Sequence, residues 1–394
     1  MKVNMRSIVA LGAIAAISSL TLAGCAGSSD SGETTAPDMS GSITVWVDAD
    51  RAGVLEAAAA DFTEQTGVEV TLVQKEFGEI RDQFVQQVPT GEGPDIAVGA
   101  HDWLGTLVTN GVVAPVELGD KAGDFEDVAI SAWAYDGQTY AVPYAIENIA
   151  LIRNTDLVSE AATDYNDMIA KGQAAGTEYP FQTSFGAPVF GQNADGSYNA
   201  DDLQIGNEGG VEFANWLGEQ GAAGILNTNI TGDLALENFT SGKSPFFLTG
   251  PWNVPAIEEA GINFSVDAIP SAGGQDAQPF AGVQGFFLSS ESENTLAANE
   301  FLVNYIGSED VQLALYEVGG RAPALSAAFD QVEASDPVVA GFGQVGANAV
   351  PMPSIPEMGS VWQYWGVTEA AIINGGDAPA LWTQMAADVQ AAIE

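Results

Sequence analysis

A chain of 394 residues with 46% hydrophobic and 16% charged side chains is long enough to bury more than one core and too apolar for a disordered polymer. Fifty-three acidic residues stand against ten basic ones, a net charge of −43 that repels phosphate backbones and anionic headgroups and argues against nucleic acid as a partner. A single cysteine, Cys25, and a single histidine, His101, rule out internal disulfides, cysteine-based metal sites and a histidine-rich metal centre. Such acidity suits solubility outside the cell or a salty medium, and it names no ligand.

Residues 1–24 read as a targeting segment: Lys2 and Arg6 form a positive start, and an apolar stretch runs from Ser7 to Ala23. The following Leu22-Ala23-Gly24-Cys25 resembles the bacterial lipobox, which implies cleavage before Cys25 and a lipidated N-terminus. Acyl chains contributing roughly 0.8 kcal/mol per buried CH₂ would hold such a protein on the membrane face without a spanning helix. Residues 26–40 are small, polar and unpatterned, so 25–41 is expected to be a lipidated flexible tether. No later apolar run is long enough to cross a bilayer.

The folded part begins as alternating strands and helices. Ile43–Val47 reads as a strand, Val54–Thr66 as a helix stopped by Gly67, Val68–Val73 as a second strand and Glu79–Val88 as a helix with Ile80, Phe84 and Val88 on one face. Pro94–Val98 gives a third strand, and Trp103–Asn110 a helix closed by Gly111. This β-α-β-α-β order predicts a parallel sheet covered by helices. Further helices are expected over Val211–Gln220, Asp233–Ser241 capped by Thr231, and Asn294–Ile306 with Leu296, Ala297, Phe301, Leu302 and Tyr305 as its apolar stripe. Glu309–Val318, ending at Gly319-Gly320, Ser360–Asn374 and Pro379–Ile393 complete the helices. Ile149–Arg153, Pro245–Thr249 and Phe264–Ala268 read as short strands.

In open parallel sheets, ligands bind beyond the carboxyl ends of the strands. The first strand runs into Asp48-Ala49-Asp50-Arg51 and the third into Gly99-Ala100-His101-Asp102-Trp103, placing two polar clusters at one end of the sheet. Carboxylates and a guanidinium suit sugar hydroxyls through charge-assisted hydrogen bonds. Asp50 and Asp102 also precede helices and suit caps, a role compatible with ligand contact. Among eight tryptophans, Trp252 follows Gly250-Pro251, and Trp362 and Trp365 fall at a helix start, settings that expose a large side chain. An indole face packs against the C–H patches of a sugar ring.

At these residues the sequence resembles the maltose/maltodextrin-binding proteins of bacterial ABC importers. The similar segments, ITVWVDADRAG (43–53), TGEGPDIAVGAHDWLG (90–105), YAVPYAIENIALIRNTDL (140–157), FFLTGPWNVP (246–255), PFAGVQGFFLSS (279–290) and PSIPEMGSVWQYW (353–365), run in order across nearly the whole chain after residue 40. The resemblance implies a two-lobe α/β fold of the periplasmic-binding-protein kind with three interlobe crossovers. It implies an N-lobe of residues 42–145 and 284–332 and a C-lobe of 146–283 and 333–394. Asp50, Arg51 and Asp102 would hydrogen-bond sugar hydroxyls, with Asp48 as a further polar cleft residue. Glu147 would contact the sugar from the second lobe, and Trp252 and Trp362 would stack on glucose rings. The implied protein is a monomeric receptor, anchored outside the cytoplasm through Cys25, that takes a maltose/maltodextrin-type oligosaccharide to the transmembrane subunits of an importer without cofactor or metal.

The sequence departs from the family pattern at three places. Gly99 and Trp103 stand where enteric members have a tryptophan and an arginine, and Gly366 replaces a basic cleft residue. The stretch from Asn154 to Tyr198 is shortened where the second lobe normally supplies an acid and an aromatic, for which Phe181, Phe185 and Phe190 are the available substitutes. The alternatives are a receptor for another oligosaccharide or a peptide, and a secreted glycosidase using a carboxylate pair. Neither a Ser-His-Asp pattern nor a Gly-rich phosphate loop supports an enzyme.

Overall fold

In the computed structural model, residues 41–172, 174–176, 179–193 and 197–394 are described. The expected targeting segment and Cys25 lie outside them. The first strand, β1 (Ser42–Val47), ends at Asp48, whose carboxylate accepts from the backbone N–H groups of Asp50 and Arg51 and so caps α1 (Ala49–Thr66). The helix therefore starts at Ala49, ahead of the Val54 expected from the apolar pattern. It stops at Gly67, whose φ of 77° is the left-handed conformation open to glycine without a Cβ penalty. Then follow β2 (Glu69–Gln74), α2 (Phe77–Gln87), β3 (Ile96–Ala100), a tight turn at His101–Trp103 and α3 (Leu104–Thr109). β1 pairs in parallel with both neighbours, Val45 lying opposite Leu72 and Ile96, as the alternating pattern requires.

Two long strands, Ala141–Asn148 and Phe280–Ser289, extend this sheet in antiparallel sense beyond β3, and Ala322–Pro323 closes its far edge. A second sheet combines Phe264–Asp267, Ala150–Asn154 and Phe246–Thr249 in antiparallel order with Ala174–Gly176 parallel at its edge. The cores follow the sheets. Val45, Phe62, Phe84, Phe286 and Leu302 belong to one buried cluster, while Leu151, Phe213, Phe246 and Trp382, with Ile152, Phe239 and Phe342 beside them, form the other side.

The chain passes between the two sheets three times: at Asn148–Ala150, along Phe280–Ser289, and between the helices Ser326–Glu333 and Pro337–Gly346. This is the two-lobe α/β fold with three crossovers. The implied lobe limits at 145/146 and 283/284 both fall inside the long strands, which continue through them.

The helix expected over Asn294–Ile306 is built in two parts, α-helical over Thr295–Glu300 and a wider π turn over Phe301–Ile306. Ala297 and Ala298 lead its buried face, so Leu296, expected in the apolar stripe, points to solvent at 60% exposure. Among the described residues no helix is long and apolar enough to cross a membrane.

Candidate functional site

The carboxyl ends of β1, β2 and β3 meet at one end of the sheet. Asp48, Asp50, Arg51, Gln74, Lys75, Glu76, Phe77 and Arg321 border an open groove there of about 620 Å³. Arg51, Lys75 and Arg321 are three of the ten basic residues in the whole chain, a concentration that an otherwise acidic surface does not explain. Asp48 is buried and ion-paired with Arg51, whose Nε also donates to the Tyr144 hydroxyl. The guanidinium lies between Phe77 and Tyr144, 5.0 and 5.4 Å from their ring centroids. Burial opposes its charge, but Tyr144, Asp48 and Glu147 outweigh that cost and raise its pKa. Asp50, in the first turn of α1, is exposed on the groove. Lys75 lies 4.3 Å from the Trp46 ring centroid and donates to Gln83 at 2.8 Å.

Beyond β3, His101 is buried and accepts the Val283 N–H at Nδ1 (3.1 Å), so its Nε2–H donates to the Met352 carbonyl (3.0 Å). One imidazole thus ties the end of β3 to the long strand Phe280–Ser289 and to the segment after Val350–Pro351. Desolvation lowers its pKa to about 4, keeping the ring neutral. The adjacent Asp102 is pushed up to about 6, chiefly by desolvation; the backbone of its own turn, Arg81 and the indole of Trp362 pull it down, and Glu147 pushes it further up. Neither Asp50 nor Asp102 caps a helix. That role falls to Asp48.

Glu147 sits on the strand Ala141–Asn148 opposite Gly282, inside the large sheet rather than wholly in the second lobe. Its two oxygens accept from Arg321 Nε at 2.6 Å and Gln284 Nε2 at 2.7 Å. Trp252, 38% exposed, stands in the turn Pro251–Asn253 with the Arg321 guanidinium 5.7 Å from its ring centroid. Its indole folds back over Gly250, where a Cβ would stand 1.9 Å from the ring. Glycine at position 250 is therefore a local requirement of that pose. Trp362, 37% exposed on the helix Met358–Ile373, stacks on Trp365 at 5.5 Å, and Trp365 meets Phe280 edge-on. Trp365 itself is buried at 4% exposure, so the outward setting expected of it is corrected: it backs the platform that Trp362 presents.

These contacts gather six of the seven expected site residues into three groups, Asp48 with Arg51, Glu147 and Trp252 through Arg321, and Asp102 with Trp362, while Asp50 borders the groove beside the first group. The family profile described as bacterial extracellular solute-binding protein matches residues 57–340. This chain belongs to that family. It is 29% identical over 368 residues to the galactooligosaccharide-binding protein of Bacillus subtilis, covering 87% of each chain. It is 27% identical over 391 residues to a maltooligosaccharide ABC transporter solute-binding lipoprotein of Streptococcus pneumoniae, covering 91% of this chain and 90% of the relative. Among solved structures, the Thermus thermophilus maltotriose binding protein bound with maltotriose superposes with a TM-score of 0.82 at 29% identity, over 89% of this chain and all of the other.

In this solute-binding protein the departures from the family pattern have structural answers. Trp103 is buried and packs on Phe77 at 5.0 Å, so it supports the ring beneath Arg51. Gly366 leaves open space, with nothing within 4 Å of where its Cβ would be. The phenylalanines considered as substitute platforms do not serve as such. Phe181 and Phe190 are buried in the second core, and Phe185 packs on Phe213 and Trp216. Lys75, Glu76, Gln284 and Arg321 were not legible as site residues, although Lys75 and Glu76 follow β2 at the same sheet end as the polar clusters of β1 and β3. Among the described residues no cluster of histidine, cysteine or carboxylate side chains fits a metal ion.

Proposed function

We propose that this solute-binding protein is an oligosaccharide receptor of an ABC importer, taking a maltodextrin-type chain into the groove between its lobes. The observation that carries this is a groove bordered by Asp48, Asp50, Arg51 and Arg321, with the exposed indole of Trp252 against the Arg321 guanidinium; a second exposed indole, Trp362, meets Asp102 just beyond β3. Indole faces bind the apolar faces of pyranose rings, and charged groups take the hydroxyls, the division of labour a neutral polyol requires. Nothing in this arrangement assembles a nucleophile with its base, so binding rather than turnover is the reading.

Residues 42–145 with 284–332 would form one lobe and 146–283 with 333–394 the other, hinged at the three crossovers. Ligand that touches both lobes favours the closed form by its additional contacts. A micromolar Kd corresponds to about −8 kcal/mol, within reach of stacked rings and several hydrogen bonds after closure costs. Cys25 would carry the lipid that keeps the receptor, as a monomer, at the outer membrane face beside the importer's transmembrane subunits. Metabolic labelling with a fatty-acid analogue is then expected to tag the wild type and not a Cys25→Ala variant; equal labelling of the variant would contradict the anchor.

Calorimetric titration of the protein with maltotriose, maltotetraose and galacto-oligosaccharides tests the reading. Heat and a micromolar or tighter Kd with the maltodextrins support it. Binding of galacto-oligosaccharides alone would keep the receptor and change its sugar, a second reading favoured by the Bacillus subtilis relative. No binding of any oligosaccharide would overturn it.

A further inference from the structure

Arg321 touches three parts of the molecule at once. Its Nε donates to Glu147 on the strand that crosses between the sheets, its guanidinium lies on Trp252, and it borders the groove with Asp48, Asp50 and Arg51. The backbone holds it there from both sides. Gly320, at φ 65°, ends the helix Glu309–Gly319 and packs so tightly on the Trp252 turn that a Cβ would stand 2.9 Å from the Pro251 carbonyl oxygen. On the other side, Ala322 and Pro323 pair with Ile146 and Ala145, the residues just before Glu147.

The guanidinium has five N–H donors in a rigid fork. Glu147 takes the Nε–H, and among the described residues the Nη groups have no protein acceptor. Arg51 differs: its Nε and Nη1 donate to Tyr144 and Asp48, and two aromatic rings cover it. Glu147 in turn has both oxygens engaged by Gln284 and Arg321, which fixes the direction of the fork.

We propose that Arg321 is a specificity-determining donor of the sugar site, its Nη groups hydrogen-bonding adjacent hydroxyls of the ring that stacks on Trp252, with Glu147 aiming it. This rests on the receptor reading above. A planar fork beside a stacked ring meets two neighbouring hydroxyls only when both lie near the ring plane, so it reads their configuration as well as their presence. Lysine would retain the charge and lose the fork.

The test titrates wild type, Arg321→Lys and Arg321→Gln with maltotriose, or with whichever oligosaccharide the wild type binds, and then with its monodeoxy analogues. The thermal midpoint of each sugar-free variant is measured alongside. Arg321→Lys is expected to fold and to bind at least about tenfold more weakly, and Arg321→Gln more weakly still. One or two deoxy analogues are expected to bind the wild type about tenfold less well and to cost the variants nothing further, which a purely structural role would not produce. Should Arg321→Gln fail to fold, Arg321→Lys carries the comparison. Unchanged affinity in Arg321→Lys, or a variant that loses as much as wild type on every deoxy analogue, overturns the proposal and leaves the receptor reading intact. A wild type that binds no oligosaccharide overturns both.

Discussion

The indole of Trp103 fills the space that any side chain on Gly99 would need: a Cβ there would stand 2.5 Å from the ring and 2.7 Å from Phe287. Trp103 packs on Phe77, and Phe77 lies against the Arg51 guanidinium, so one missing Cβ supports the groove two contacts away. Gly99→Val is expected to lower stability by about 1–3 kcal/mol through overpacking. It should also weaken sugar binding by displacing Phe77. Thermal unfolding with calorimetric titration checks both, and Gly99→Val combined with Trp103→Ala should recover part of the lost stability.

Asp102 and His101 are adjacent and titrate with opposite consequences. Asp102, raised to about 6, stabilises the fold below its ordinary pKa and loses that contribution as pH rises through 6. His101, lowered to about 4, contributes stability above its ordinary pKa of 6.5, and that contribution is lost as pH falls towards 4. Between pH 4 and 6 the two slopes oppose each other. Asp102→Asn is therefore expected to lose stability on acidification more steeply than wild type, measured by denaturant titration across that range. Wild-type and Asp102→Asn curves that run parallel would contradict this. If sugar hydroxyls donate to the Asp102 carboxylate, wild-type affinity should rise with pH through about 6 and that of Asp102→Asn should not.

What was legible in the sequence was local. The strand ends of β1 and β3, the Gly-Pro-Trp turn and the Gly67, Gly111 and Gly320 stops declare themselves within a few residues, and the six segments matching the maltodextrin-binding pattern carried the two-lobe fold. Arg321 lies 174 residues from its partner Glu147 and Gln284 lies 137 from it, and no local pattern announces such contacts. Phe181 and Phe190 illustrate the converse. An aromatic in a shortened segment looks the same whether it fills a core or faces a ligand, and burial settles the difference.

The acid excess sets a salt dependence. With 53 acidic and ten basic residues, most carboxylates repel one another across the surface, and added salt screens that repulsion. Raising NaCl from about 0.02 to about 0.5 M, which shortens the screening length several-fold, should raise the thermal midpoint. Affinity for a neutral oligosaccharide should change little, because the ligand brings no charge. A strong fall in sugar affinity over the same range would indicate a charged ligand instead.

The two indoles separate binding from folding. Trp252 and Trp362 are more than a third exposed, and each rests on a support that survives its removal: Gly250 and Arg321 for the first, buried Trp365 for the second. Trp252→Ala and Trp362→Ala should each cost about 1 kcal/mol or less in stability, as near-surface truncations do. Each should weaken oligosaccharide binding about tenfold or more, because a stacking platform concentrates contact energy in one side chain. Trp365→Ala reverses the balance: it opens a cavity beside Phe280 and costs about 3–5 kcal/mol, losing affinity only as Trp362 loses its backing. Calorimetry paired with thermal unfolding resolves the three variants. Full affinity in Trp252→Ala and in Trp362→Ala would remove the sugar from this groove.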